Sequence, residues 1–387
     1  MLLEFGARNF FSFKEGFCLS LELNGNCPES ISKGANVSKI LCVKGANASG
    51  KTNALRALAF IKYLCTESYS AAPKSEMPFD CFFENTESTN LFCRFFLDGE
   101  KYLYEVELNK KGIISEELSL DDSSKYIFQR KQTELKYDEE KFGDIAPLKV
   151  RNNVSVIHSA KQAEICSLDK FFTYFDNILT NVTDYGLSDF VSDTSSVCEV
   201  YKKNPNLFSK VKSFLKKADV GIVDVKIGRT INPNGNIQYY PVFMHEVEGK
   251  KFPVVMWHES SGTRKLFYDL FLYYITLERG GVLLADEFDI NLHPDILPML
   301  IDLFESEEDN SKKAQMIFST HDTSIMDRLG KYRTYLVNKV ENESFGYRLD
   351  EIPGDILNAD LRNDRPISQW YRKGKLGGVP RANGLQG

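Results

Sequence analysis

Three groups of residues have the types and spacing to handle a polyphosphate. The first is Gly45-Ala46-Asn47-Ala48-Ser49-Gly50-Lys51-Thr52, a G-x-x-x-x-G-K-T loop, with Asn53 next in line. Glycines let such a loop turn its N–H groups inward around phosphate oxygens, and the helix that follows aims its positive end at the same charge. Lys51 has the reach for the terminal phosphates, and the Thr52 hydroxyl can ligate Mg²⁺. The second group is Asp286-Glu287, closing the apolar run Val282-Leu283-Leu284-Ala285. Asp286 suits Mg²⁺ held through water, and Glu287 suits orienting and deprotonating an attacking water. Strands ending in acids are common, so this pair gains its weight from the phosphate loop upstream. The third is His321, which follows Gln315-Met316-Ile317-Phe318-Ser319-Thr320. A lone histidine is more often structural, but one strand beyond the acidic pair it is placed to meet a γ-phosphate.

Two further features are candidates. Glu259-Ser260-Ser261-Gly262-Thr263 is a Ser/Gly turn running into a helical pattern, and a serine-capped helix start is an anion site. Gln162, where the chain leaves a strand-rich stretch, is a candidate for sensing metal and water.

The surrounding elements fit these roles. Ile40-Leu41-Cys42-Val43-Lys44 reads as a buried strand, and Leu55, Leu58 and Ala59 give the stretch after the loop helical spacing. Residues 2–23 read as two strands. Residues 91–137 read as an antiparallel meander with turns at Asp98-Gly99 and Asn109 to Gly112. Val154-Ser155-Val156-Ile157 reads as a short strand. Residues 164–218 alternate helical patterns with polar turns, and Lys202 to Lys217 form a lysine-rich helical stretch whose default is a solvated face. Three strands follow between 221 and 257. Leu266, Phe267, Leu270, Phe271 and Tyr274 place one apolar face on the helix after Ser260, which Gly280-Gly281 stops. Pro294 is expected in the first turn of the next helix.

Composition narrows the classes. The formal net charge of −6 argues against a surface coated for nucleic acid, though not against a local patch. No apolar run approaches the roughly 20 residues of a membrane helix, and the start shows no signal peptide. The eight cysteines form no C-x-x-C pair and read as free thiols, so a cytoplasmic protein without membrane partners is expected.

Glu259 to Thr263, just before the acidic strand, resembles the signature of the ATP-binding-cassette superfamily, keeping Ser260 and Gly262 and departing at Glu259, Ser261 and Thr263. More than two hundred residues separate Gly45 from Ser260, about twice the transporter spacing. With the Arg8-Asn9-Phe10-Phe11-Ser12-Phe13 start, this resembles the SMC/RecF/OLD branch. Asp286 to Pro294, Ser319-Thr320-His321-Asp322 and the tail Trp370 to Pro380 are similar to AAA-type ATPases of bacterial abortive-infection and anti-phage operons.

The resemblance implies ATP and Mg²⁺ as cofactors and slow ATP hydrolysis. It also implies a head-to-tail dimer in which Ser260, Ser261 and Gly262 of one copy meet the γ-phosphate on the other. By position, Asp289 takes the role of the loop after the acidic pair. The fold expected is α/β: an ABC-type P-loop ATPase with a mixed sheet, an antiparallel β subdomain and a helical signature-bearing insert. The segments expected are 1–163, 164–258, 259–350 and a basic, aromatic tail 351–387. Fewer than seventy residues follow His321, too few for a fused toprim-type nuclease. The expectation is therefore a sensor or scaffold controlling a separate effector, a nuclease, with DNA or a phage protein as trigger. A RecF-like DNA clamp is the alternative; Lys202 to Lys217 and the tail would be its basic groove.

Overall fold

The computed structural model describes residues 1–121, 123, 125–183, 186–187 (backbone only), 193–219, 221–232, 235–352 and 366–379. Its strands, in chain order, are β1 (Leu2–Arg8), β2 (Phe17–Ser20), β3 (Ile40–Gly45), β4 (Thr89–Leu97), β5 (Glu100–Asn109), β6 (Gly112–Leu120), β7 (Tyr126–Lys131), β8 (Glu134–Tyr137), β9 (Ile178–Thr180), β10 (Val182–Thr183), β11 (Gly186–Leu187), β12 (Ile222–Ile231), β13 (Ile237–Val247), β14 (Lys250–Val255), β15 (Val282–Ala285), β16 (Gln315–Ser319), β17 (Thr334–Val340) and β18 (Glu343–Arg348). The helices used below are α1 (Lys51–Thr66), α2 (Val156–Gln162), α3 (Asp169–Asp176), α4 (Thr194–Lys203), α5 (Pro205–Ala218), α6 (Ser261–Arg279), α7 (Ile296–Glu305), α8 (Ser324–Leu329) and α9 (Ile367–Arg372).

A six-stranded sheet of order β18-β17-β3-β16-β15-β9 carries the site. All its pairings are parallel except β17 with β18. Both faces are covered, as parallel sheets require, and the two-residue period of a strand divides the core. Leu41 and Val43 of β3, Leu284 of β15 and Ile317 of β16 face one core, which α1, the meander and α3 fill. Ile40, Cys42, Leu283, Met316 and Phe318 face a second core, built from α4 to α8. Leu168, Phe171, Phe175 and Ile178 also belong to the first core.

The meander is one antiparallel sheet, β2-β1-β4-β5-β6-β7-β8. The α/β fold with its antiparallel subdomain is therefore as expected. Some elements differ. Ile178–Thr180, within the stretch read as helical patterns and polar turns, is β9 of the six-stranded sheet. Val154-Ser155-Val156-Ile157 is no strand; Ser155 caps α2, its Oγ accepting from His158 N at 3.0 Å. The N–H of Val156 donates to both carboxylate oxygens of buried Glu116 at 3.0 Å. Capping chemistry outweighs the β-branched composition here. Pro294 precedes α7 rather than lying inside its first turn. Among the described residues, no helix is long and apolar enough to cross a membrane.

Candidate nucleotide site

β3 ends at Gly45, the chain loops through Ala46 to Gly50, and α1 begins at Lys51. The loop leaves no room for side chains at its glycines. A Cβ on Gly45 would stand 2.4 Å from the Val337 carbonyl oxygen. Gly50 has φ +109°, and a Cβ there would stand 2.6 Å from Ser344 Oγ. Ser12 backs the same point: its Oγ accepts from Asn53 Nδ2 and from Ser344 Oγ, each at 2.8 Å. Asn53 thus braces the loop from behind. The Lys51 ammonium donates to the carbonyls of Gly45 and Ala46 at 3.0 and 2.9 Å. Burial lowers its pKa, and the Asp286 carboxylate opposes that fall.

The acidic pair meets this loop. Thr52 Oγ1 donates to Asp286 Oδ2 at 2.6 Å, across 234 residues of sequence. Ser319 Oγ donates to the other Asp286 oxygen and accepts from Glu287 N at 2.8 Å. Asn181 brackets the Asp286 peptide, its Oδ1 accepting from Asp286 N at 2.8 Å and its Nδ2 donating to Asp286 O at 2.9 Å. Glu287 has φ +48°, a left-handed conformation that costs a non-glycine residue about 1–3 kcal/mol and concentrates at functional sites. Asp289 accepts from the His321 N–H at 3.2 and 3.1 Å, so within this chain it fixes the histidine loop. The His321 side chain is exposed.

These groups share one open cavity of about 430 Å³, lined by Asn47, Ala48, Gly50 to Asn53, Asp286, Glu287, His321 and Lys339. Their donors and acceptors fit a Mg²⁺-bound polyphosphate: backbone N–H groups and Lys51 for anionic oxygens, Thr52 and Asp286 for the cation.

Of the sequence candidates, Gly45, Ala46, Ser49 and Asp289 flank the cavity without lining it, and two others lie apart from it. Ser260, Ser261 and Gly262 are not among its lining residues. Ser260 caps α6, its Oγ accepting from Thr263 N at 3.1 Å, and Thr263 Oγ1 donates to Asp219 at 3.0 Å. Ser260 and Ser261 are exposed. Gln162 is a correction. It ends α2, and its amide lies 3.4 Å from His158, whose Nδ1 accepts from Tyr69 N at 3.0 Å. That places it by the C-terminal end of α1, about 22 Å along the helix from Lys51 at 1.5 Å per residue. The reason is the helix that replaces the expected strand, which carries residue 162 away from the sheet.

Sequence reasoning assigned no role to Asn181, Ser319 or Lys339. Ser319 had a signal, since it stands two residues before His321 at a strand end. Asn181 had none, because nothing in its own sequence shows that β9 pairs with β15. Part of the lysine-rich stretch is engaged within the chain: Lys203 pairs with Glu199 at 2.7 Å, Lys212 with Asp224 at 3.1 Å, and Lys202 lies 4.0 Å from the Tyr239 ring centroid, while Lys216 and Lys217 are exposed. Of the tail cations, Arg362, Arg365 and Arg381 lie outside the described residues, as does Pro380.

A glycine loop, an acid pair and a histidine, set at the ends of the adjacent parallel strands β3, β15 and β16, define a P-loop nucleotide-binding domain. Residues 40–327 match the family described as "AAA domain, putative AbiEii toxin, Type IV TA system", and the chain belongs to that family. The kinship with AAA-type ATPases expected from sequence is met. Among solved structures the chain is similar to the SMC head domain from Thermotoga maritima, at 14% identity over 90% of this chain and 98% of that one, with a TM-score of 0.44. It is also similar to the Smc head domain from Pyrococcus furiosus, with an extended coiled coil bound to the C-terminal domain of ScpA: 12% identity, 90% and 97% coverage, TM-score 0.42. No curated protein matches.

Proposed function

We propose that this chain binds Mg²⁺-ATP and hydrolyses it slowly, as a head-to-tail dimer in which Ser260, Ser261 and Gly262 of a second copy close each site. The observation that carries the ATP reading is the 2.6 Å contact of Thr52 with Asp286, which brings the two cation-side groups together at the mouth of the phosphate loop. The nucleotide supplies the phosphoanhydride that is cleaved. Lys51 and the loop N–H groups neutralise its charge, and Thr52 and Asp286 hold the cation. Glu287 accepts the proton of the attacking water, and His321 faces the terminal phosphate. The dimer is supported by the exposed signature loop, which is capped yet stands outside the cavity that holds the phosphate loop.

In the cell, we assign the chain the part of sensor or scaffold in a two-component abortive-infection system, controlling a separate nuclease effector in the cytoplasm. The family description, which names a toxin of a type IV system, supports that setting. A phage protein or DNA would be the trigger. The DNA-clamp reading ranks second, because the formal net charge is −6 and Lys202, Lys203 and Lys212 of the lysine-rich stretch already have partners within the chain.

The test is the native mass of the Glu287→Gln chain, purified through a tag from its own host with and without ATP. A mass that steps up with ATP and carries a second polypeptide is expected. A homodimer carrying duplex DNA instead would replace this reading with the clamp, and a monomer at saturating ATP would remove the dimer.

A further inference from the structure

The stretch from Trp370 to Val379 takes no part in the chemistry above, yet the fold lays it against the site. Ile367, Tyr371 and Leu376 form a small separate core with Met326, Leu336 and Leu349. Ser368 N and Oγ donate to the Asp327 carboxylate at 2.8 and 2.5 Å, tying α9 to α8. At the other end, Tyr371 Oη donates to the Gly378 carbonyl at 2.7 Å, and Gly378 N donates to Asn338 Oδ1 on β17. Gly378 has φ +70°, and a Cβ on it would stand 3.1 Å from the Tyr371 ring and 3.6 Å from Gly45 Cα. The turn therefore rests on the first glycine of the phosphate loop.

Two cations join this stretch to the histidine loop. Arg372 Nε and Nη2 both donate to Thr323 Oγ1, at 3.0 and 2.6 Å. Lys44, the residue before Gly45, is only 2% exposed. Its ammonium donates to the Thr320 carbonyl at 2.8 Å and lies 5.7 Å from the Tyr371 ring centroid. Neither partner is a carboxylate, and burial lowers the Lys44 pKa. A cation so placed depends on that carbonyl and that aromatic face. The His321 loop is thus held on three sides: at Thr320 by Lys44, at the His321 N–H by Asp289, and at Thr323 by Arg372.

We infer that residues 367–379 form a clasp that sets the His321 loop against the phosphate loop, with Lys44 and Arg372 as positioning residues that act through Thr320 and Thr323. The inference rests on the ATP-hydrolysing reading and adds a part to it. A histidine on an exposed loop contributes to catalysis only if its backbone is fixed, because a misplacement of about 1 Å can cost on the order of 100-fold in rate.

The experiment compares Arg372→Ala, Arg372→Lys and Lys44→Met in the full chain. It measures kcat and KM for ATP, ATP binding by equilibrium dialysis, and the thermal midpoint. Arg372 is exposed, so its loss leaves the fold intact. Arg372→Ala and Lys44→Met are expected to lower kcat about ten-fold with KM changed less than about two-fold, and Arg372→Lys to restore most of it. Trp370 is a second reporter. In a Trp257→Phe background it is the only tryptophan, and its emission should change on adding ATP, with the change lost in Arg372→Ala.

Unchanged kcat in both variants and no Trp370 response, in a wild type that turns over ATP, would overturn the clasp. So would a kcat loss that tracks a fallen thermal midpoint and is not rescued by lysine. A wild-type chain that binds ATP without measurable turnover leaves the Trp370 signal to decide. A wild-type chain that binds no ATP fails the underlying reading and takes the clasp with it.

Discussion

The phosphate loop and the signature loop both start helices with small polar residues, yet the fold treats them differently. Thr52 and Ser319 both donate to Asp286, and Lys51 is anchored on the carbonyls of its own loop at Gly45 and Ala46. Ser260 caps its own helix, and Ser260 and Ser261 are both exposed. The first region is a preorganised electrostatic site, which lowers the reorganisation cost of chemistry. The second is a capped helix end with its anion-binding face unused. Under the proposed function, the single chain binds the nucleotide and a second copy completes the site.

That assignment can be broken in order of effect. Lys51→Ala should abolish detectable ATP binding by equilibrium dialysis, because the loop loses the ammonium that faces the phosphates. Retention of wild-type affinity would detach the loop from nucleotide altogether. Glu287→Gln should keep ATP affinity within a few-fold and slow phosphate release by about 10²–10⁴-fold, the range for loss of a general base. Equal loss of binding and turnover would make Glu287 a structural residue.

Asn181→Ala should act through Asp286. The peptide it brackets would lose two hydrogen bonds, each contributing about 1 kcal/mol. The Mg²⁺ concentration at half-maximal activity should rise while ATP affinity at saturating Mg²⁺ holds. An unchanged Mg²⁺ dependence would confine Asn181 to packing. Ser260→Ala should cost only about 1 kcal/mol of stability in a denaturant titration, the usual effect of removing a helix cap.

How much of this was legible follows from the reach of each signal. The phosphate loop, β15 and β16 could be read because their chemistry and their apolar runs are local. So could the meander, through its alternation and turns. Gln162 was misplaced because Ser155 caps a helix where Val154, Val156 and Ile157 suggest a strand. Asn181 was missed because its role comes from β9 pairing with β15, a contact across 105 residues. Lys44 looked like a strand residue; only the fold places it beneath Tyr371.

A further effect is one of pH. Buried His158 has its pKa lowered to about 4, chiefly by desolvation. The unfolded chain takes up its proton near the ordinary 6.5 while the native state does not, so stability is full above that pH and is lost as pH falls toward 4. The slope from this group is at most about 1.4 kcal/mol per pH unit. The urea midpoint of wild type should fall more steeply over this window than that of His158→Gln. Parallel curves would show that His158 contributes nothing.

The central claim, that each site is shared between two chains, is tested most directly by mixing two inactive variants. One carries Lys51→Ala, the other Ser261→Arg at the exposed signature position. In a freely exchanging equal mixture about half the dimers are mixed, and each mixed dimer has one intact site, so ATPase activity should return to about a quarter of wild type. Activity that stays at the level of the separate variants would show that each chain completes its own site, and would contradict the account.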